Sequence, residues 1–253
     1  MSESASSPDG STSLSRRDLL RLGAAASAFP LIGSTANAIG GQIPPAGPNA
    51  IVPGEDDPDA RALTIRNLKF IGWAMHMFTA RNSGRLPSAA IRKEDKALLS
   101  WRVALLPFLE QSALYGRFHL DEAWDSDHNK LLLEEMPHVY APVTHKDAKP
   151  YATYYQGIVG PGSLFDGHEG TPIADVIDAA SPTLMVVEAA DPVLWTKPED
   201  VPYRVAEPLP NLGGQFADGF YVGFADGSVR FLSRQLAPEA IRALIAQRRR
   251  QGS

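Results

Sequence analysis

Asp121, Asp125, Asp127 and Asn129 fall within one short window and are residue types that ligate hard cations. Asp-x-Asp-x-Asn opens a calcium loop, which needs a glycine at its sixth position for the turn and a glutamate at its twelfth to close the coordination sphere. Lys130 and Met136 stand there instead, so Asp125 or Ser126 is expected to cap a helix rather than hold a cation. The histidines, His76, His119, His128, His138, His145 and His168, show no pair at metal-ligand spacing, and His128 is assigned a local hydrogen bond beside Trp124. Gly157 to Gly162 is glycine-rich but lacks the lysine and the strand–loop–helix order of a phosphate loop. Ser163 has no nucleophile-elbow pattern around it. Glu188 and Asp191 would make an acid/base pair only in a cleft that raised one of their pKa values. The chain has no cysteine, which removes disulfides, thiolate metal sites and a cysteine nucleophile. No catalytic residue, metal ligand or cofactor is assigned, and the expectation is a protein that is not an enzyme.

The elements that would position these side chains begin with a helix over about residues 58–82. Ile65, Leu68, Ile71, Met75 and Phe78 recur at steps of three and four on one face, with Arg66, Lys69 and His76 opposite and Trp73 between. Asp57 or Asp59 can cap its start, Pro58 suits its first turn, and Asn82-Ser83-Gly84 ends it. At 1.5 Å per residue the helix would run roughly 37 Å, and its single apolar stripe must lie against something, most simply a sheet.

Residues 98–115 predict a short helix that resumes after Pro107, and residues 125–136 predict another with Leu131, Leu132 and Leu133 on its buried side. The period then changes. Residues 151–159 and 183–187 are β-branched and aromatic runs bounded by glycine and proline. Phe220–Phe224 and Ser228–Leu232 predict a hairpin turned at Asp226-Gly227. A last helix over 238–249 places Ile241, Leu244 and Ile245 inward. Helices followed by antiparallel strands define an α+β domain.

Ahead of that domain, Ser15 to Arg21 carries the pair Arg16 and Arg17, an apolar run from Leu22 to Gly33 follows, and Ala36-Asn37-Ala38 supplies small residues at a cleavage site. The three parts in that order predict a twin-arginine export signal over residues 1–38, with Ala36 and Ala38 at the cut. A proline- and glycine-rich linker over 39–57 leads into the domain at 58–253. The expected location is periplasmic or extracytoplasmic, reached in the folded state, with no membrane span after cleavage. The formal net charge of −5 argues against nucleic acid, which selects a basic stripe.

Several blocks together resemble the prepilin-like domain of unknown function that is abundant in planctomycete bacteria. They are Asn67 to Gly72 with His76, Gly84 to Pro87, Ser100 to Gln111, Trp124-Asp125-Ser126 with His128-Asn129, Thr196 to Asp200, and Phe224 to Phe231. The resemblance spans residues 61–245 and implies a pilin-like fold, a long N-terminal helix packed on an antiparallel sheet with long loops. It also implies structural roles for Trp101, Trp124, Asp125, His128, Asn129, Asp226 and Gly227. The family is called pseudopilin-like and is also labelled extracellular solute-binding. This chain departs from it twice: the twin-arginine segment replaces the prepilin leader that packs pili together, and Phe216 stands where the family places a histidine ten residues before the Asp-Gly aspartate. The expected role is a structural or interaction module of the cell envelope that lacks the assembly stalk. The alternative is a solute-binding protein using the aromatic supply of Trp73, Trp101, Trp124, Trp195, Tyr154 and Tyr155, so the expected partner is an envelope protein or a small solute.

Overall fold

The computed structural model describes residues 57–144, 149–176 and 182–246. The export residues Arg16, Arg17, Ala36 and Ala38, the linker as far as residue 56, and His145 lie outside the described residues.

Helix α1, Pro58–Arg81, starts where the sequence supplies a cap: the Asp57 carboxylate accepts from the Asp59 N–H, and Pro58 occupies the first turn. It stops at Gly84, whose φ of +75° lets its N–H turn back to the Thr79 carbonyl. Leu68, Ile71 and Met75 are fully buried, and burial of each contributes about 1.5–3 kcal/mol. Thr64, Asn67 and Thr79 are buried beside them, so the inner face is partly polar.

A hairpin follows, β1 (Ala90–Lys93) with β2 (Lys96–Ser100), in a stretch where no strand was expected. The helix predicted over 98–115 is thus a strand end followed by single turns: α2 (Trp101–Ala104), a 3-10 turn at Pro107, and α3 (Ser112–Tyr115). Pro107 has no N–H to donate and keeps the turns from merging. The helix predicted over 125–136 is a 3-10 segment, Asn129–Glu135, which has three residues per turn. Successive residues of either helix type point about 100–120° apart, so three leucines in a row cannot share a face: Leu132 is buried, Leu133 half-buried and Leu131 two-thirds exposed.

The main sheet is antiparallel in the order β3 (Ala152–Gln156), β5 (Leu184–Leu194), β7 (Gly219–Phe224) and β8 (Val229–Ser233). Between these strands, β4 (Ile158–Val159) and β6 (Val201–Pro202) form a short parallel pair. Strand β7 is buried at every position because both sheet faces are covered. Helix α1 lies across one face, with Leu68 against Gly223. Helix α4 (Pro238–Ile245) covers part of the other, with Ile245, Ile241 and Leu244 against Leu184, Val187 and Val222. The molecule is therefore α+β, a long helix on an antiparallel sheet. Among the described residues no helix is long and apolar enough to cross a membrane.

Candidate functional site

Three places in this framework hold side chains that could do more than pack. The first is built on Trp101-Arg102, which β2 and α2 hold beneath the segment 195–200. Arg102 is fully buried and every one of its N–H groups is used. Its Nε donates to the Trp195 carbonyl at 3.0 Å, Nη1 to the Tyr155 carbonyl at 3.2 Å and Asp200 Oδ1 at 2.9 Å, and Nη2 to the Lys197 and Glu199 carbonyls at 3.2 and 2.9 Å. Asp200 Oδ1 also accepts from Trp101 Nε1 at 3.0 Å and the Gly157 N–H at 2.8 Å. Burial pushes the Asp200 carboxyl up, and Arg102 with the two N–H donors works against it. A charge pair this closely surrounded fixes a loop and leaves the guanidinium no N–H for a ligand.

The second place lies under α1. Glu188 on β5 is fully buried, its Oε1 accepting from Gln215 Nε2 at 2.6 Å and its Oε2 from the Tyr221 N–H at 2.7 Å. Thr64 sets a hydroxyl beside Glu188 and Tyr155, and Asn67 Nδ2 donates to the Tyr155 hydroxyl at 3.4 Å. Desolvation pushes Glu188 up to about 8, against the partial pull of its hydrogen bonds and of Arg61. Arg61 stands at the rim, donating to Asp218 at 2.8 Å with its guanidinium 4.7 Å from the Phe216 ring centre. Phe216, at the position where the resemblance places a histidine, is fully buried and edge-on to Tyr221. Asp191 is exposed on the same strand and does not join Glu188.

The third place is the outer face of α1. Phe70 is 53 % exposed, Trp73 52 % and Met77 37 %, at the i, i+3, i+7 spacing that aligns them along one side of the helix. Arg66, Lys69 and Arg81 are exposed on the same side.

The residues singled out by the sequence are spread over two loops and one core position. Trp101 is fully buried at the Arg102 node. Trp124 is half-buried, its N–H bonded to the Leu98 carbonyl at 2.8 Å and the Lys197 ammonium 5.8 Å from its ring centre. Asn129 is buried and clips the loop before it: Oδ1 accepts from the His119 N–H, while Nδ2 donates to the carbonyls of His119, Glu122 and Ala123. That leaves its oxygen committed to backbone, and Ser126 Oγ accepts from the Asn129 N–H at 3.0 Å while Asp125 is exposed. His128 bonds the Arg117 carbonyl at 2.7 Å and stacks on His119 with ring centres 3.6 Å apart. The loop carrying Trp124 and His128 is not helical, so those two side chains share a loop and no helix face. Asp226 and Gly227 turn the β7–β8 hairpin, with the Ser228 N–H on Asp226 Oδ1 at 2.8 Å and Gly227 at φ +81°. Beside the histidine loop a shallow depression of about 360 Å³ is lined by Lys93, Lys96, Asp121 and Glu122 among others.

Arg102 and Asp200 were not singled out by type or spacing, and Glu188 was considered only beside Asp191. Ser100-Trp101-Arg102 and Thr196 to Asp200 do appear as separate blocks of the family resemblance, and the structure joins them. Among the described residues no cluster of His, Asp or Glu is arranged to hold a metal ion.

Residues 60–145 match the model of a protein family of unknown function, DUF1559, which also carries the label SBP_bac_10. The match covers α1, the β1–β2 hairpin, the Trp101-Arg102 turn and the Asn129 loop. Neither a curated protein nor a solved structure matches the chain.

Proposed function

We propose that the protein is an exported, non-enzymatic interaction module of the cell envelope, built on a pilin-like helix-on-sheet scaffold without the stalk that assembles pili. The outer face of α1 carries this reading. Trp101 and Trp195 are sealed in the core, Trp124 is half-buried under its loop, and only Trp73 stands out, in line with Phe70 and Met77. A well-folded domain gains nothing in stability from such a row, and exposed apolar side chains in a contiguous line mark contact surfaces. The Arg16-Arg17 segment supports the exported location, and the match to a family of unknown function fits the module without defining its partner. The solute-binding alternative rests on the family label. It asks for aromatic side chains lining a cleft, and the sealed positions of Trp101, Trp195 and Tyr155 weigh against it.

The test is a photo-crosslinking residue, p-benzoylphenylalanine, in place of Trp73, with the protein recovered from its own exported fraction. We expect a discrete adduct at position 73 and none from the same probe at Val205, which is exposed on a different surface segment. A protein that forms no adduct at position 73, or one that is retained in the cytoplasm, would end this reading.

A further inference from the structure

The outer face of α1 specifies the chemistry of what it touches. Helix α1 holds a single acidic residue, Asp59 in its first turn, although the chain as a whole is acidic. Arg61 is turned toward Asp218. Arg66, Lys69 and Arg81 stand outside with Phe70, Trp73 and Met77, Arg81 with its guanidinium 5.9 Å from the Phe108 ring centre, and at 3.6 residues per turn all six fall within an arc of about 120°. Bases and apolar side chains therefore interleave at one level along roughly 22 Å of helix.

A second copy of the chain does not suit this face. Apposing two of them would bring Arg66 and Lys69 of each against those of the other, and the one carboxylate of α1 on that side, Asp59, stands in the first turn, away from both. A partner that is anionic and apolar at the same depth does suit it. We propose, resting on the reading of this face as the interaction surface, that α1 lies flat on an anionic lipid bilayer. Phe70, Trp73 and Met77 enter the boundary between headgroups and acyl chains, and Arg66, Lys69 and Arg81 reach the phosphates. Trp73 supplies an amphipathic ring of the kind concentrated at that depth, its N–H staying hydrated. The stems of Arg66 and Lys69 lie along apolar surface while their heads remain in water. A bilayer accepts a convex helix without a preformed groove, which an acidic protein partner would have to provide.

The experiment mixes the full-length protein with vesicles of equal parts phosphatidylglycerol and phosphatidylcholine carrying brominated acyl chains, and follows co-sedimentation and tryptophan quenching. Binding to these vesicles is expected to exceed binding to phosphatidylcholine alone by tenfold or more and to fall in high salt. Arg66→Gln with Lys69→Gln should weaken it about thirty-fold, about fivefold per base. Trp73→Phe should keep the binding and remove the vesicle-dependent quenching, which assigns contact to Trp73 and not to the leader shared by every variant. Binding indifferent to the two bases, or a Trp73 that bromine does not quench, overturns the lipid assignment. A protein adduct from the crosslinker at position 73 would then leave the interaction surface standing with an acidic protein on it, whereas no adduct would remove both readings.

Discussion

Asp200 and Glu188 are both carboxylates sealed from water, and their surroundings treat the charge in opposite ways. Asp200 meets a guanidinium at 2.9 Å and two further N–H donors, and that guanidinium is itself held by four backbone carbonyls. Glu188 has an amide and a backbone N–H, while the nearest cation named among its influences, Arg61, is shared with Asp218 at the rim. The first arrangement makes a hydrogen-bonded ion pair that pins the segment 195–200 onto α2. The second leaves a carboxyl that holds its proton into the neutral range, because a full charge there would lack a close partner. A buried acid is therefore not by itself a sign of chemistry in this fold; what surrounds it decides.

Breaking the paired site should cost most. Arg102→Met strands the Asp200 carboxylate and four backbone carbonyls, and we expect a loss of about 3–5 kcal/mol in urea unfolding, a large share of a domain's usual stability. Adding Asp200→Asn should recover part of that loss, because it removes the stranded charge; a double variant no better than the single one would mean that the guanidinium's packing matters more than its charge.

The unpaired site should reveal itself through pH. Glu188 binds its proton more tightly in the folded protein, at about 8 against an ordinary 4.5, so its contribution to stability is complete below pH 4.5 and is lost as pH rises through 8. The loss across that window is on the order of 4–5 kcal/mol, and Glu188→Gln should flatten it. Unfolding curves for the two proteins at pH 5 and pH 9 that run parallel would show that another group titrates.

The smallest effect belongs to the outer face of α1, where neither kind of buried acid lies. Phe70→Ser with Trp73→Ser should shift stability by no more than about 0.5 kcal/mol per site, since both side chains are half in water already. A loss of several kcal/mol would place them in the core and remove the grounds for a contact surface.

Where a feature depends on neighbours in sequence, it was legible. Asp57-Pro58 and Gly84 bracket α1 because a cap, a first-turn proline and a left-handed glycine act within a few residues. The β7–β8 hairpin follows from two short apolar runs around Asp226-Gly227. The segment 98–115 misled because an apolar run around a proline fits a helix or a strand end equally well, and the hydrogen bond from the Ser100 N–H to Thr196 that settles it comes from far along the chain. Leu131 misled because three successive residues of any helix point about 100–120° apart, so the run 131–133 cannot be buried as one face.

By itself the sequence determined the α+β order, the span of α1, the hairpin turn and the absence of thiol chemistry, all of which follow from residue type and local spacing. Only the tertiary structure decided that Arg102 belongs to Asp200, that Glu188 sits under Thr64 and Tyr155, and that Trp73 faces outward while Trp101 and Trp195 face in. The reason is physical: pairing and burial are relations between segments far apart in the chain, and a residue's type states what it can do but not what surrounds it.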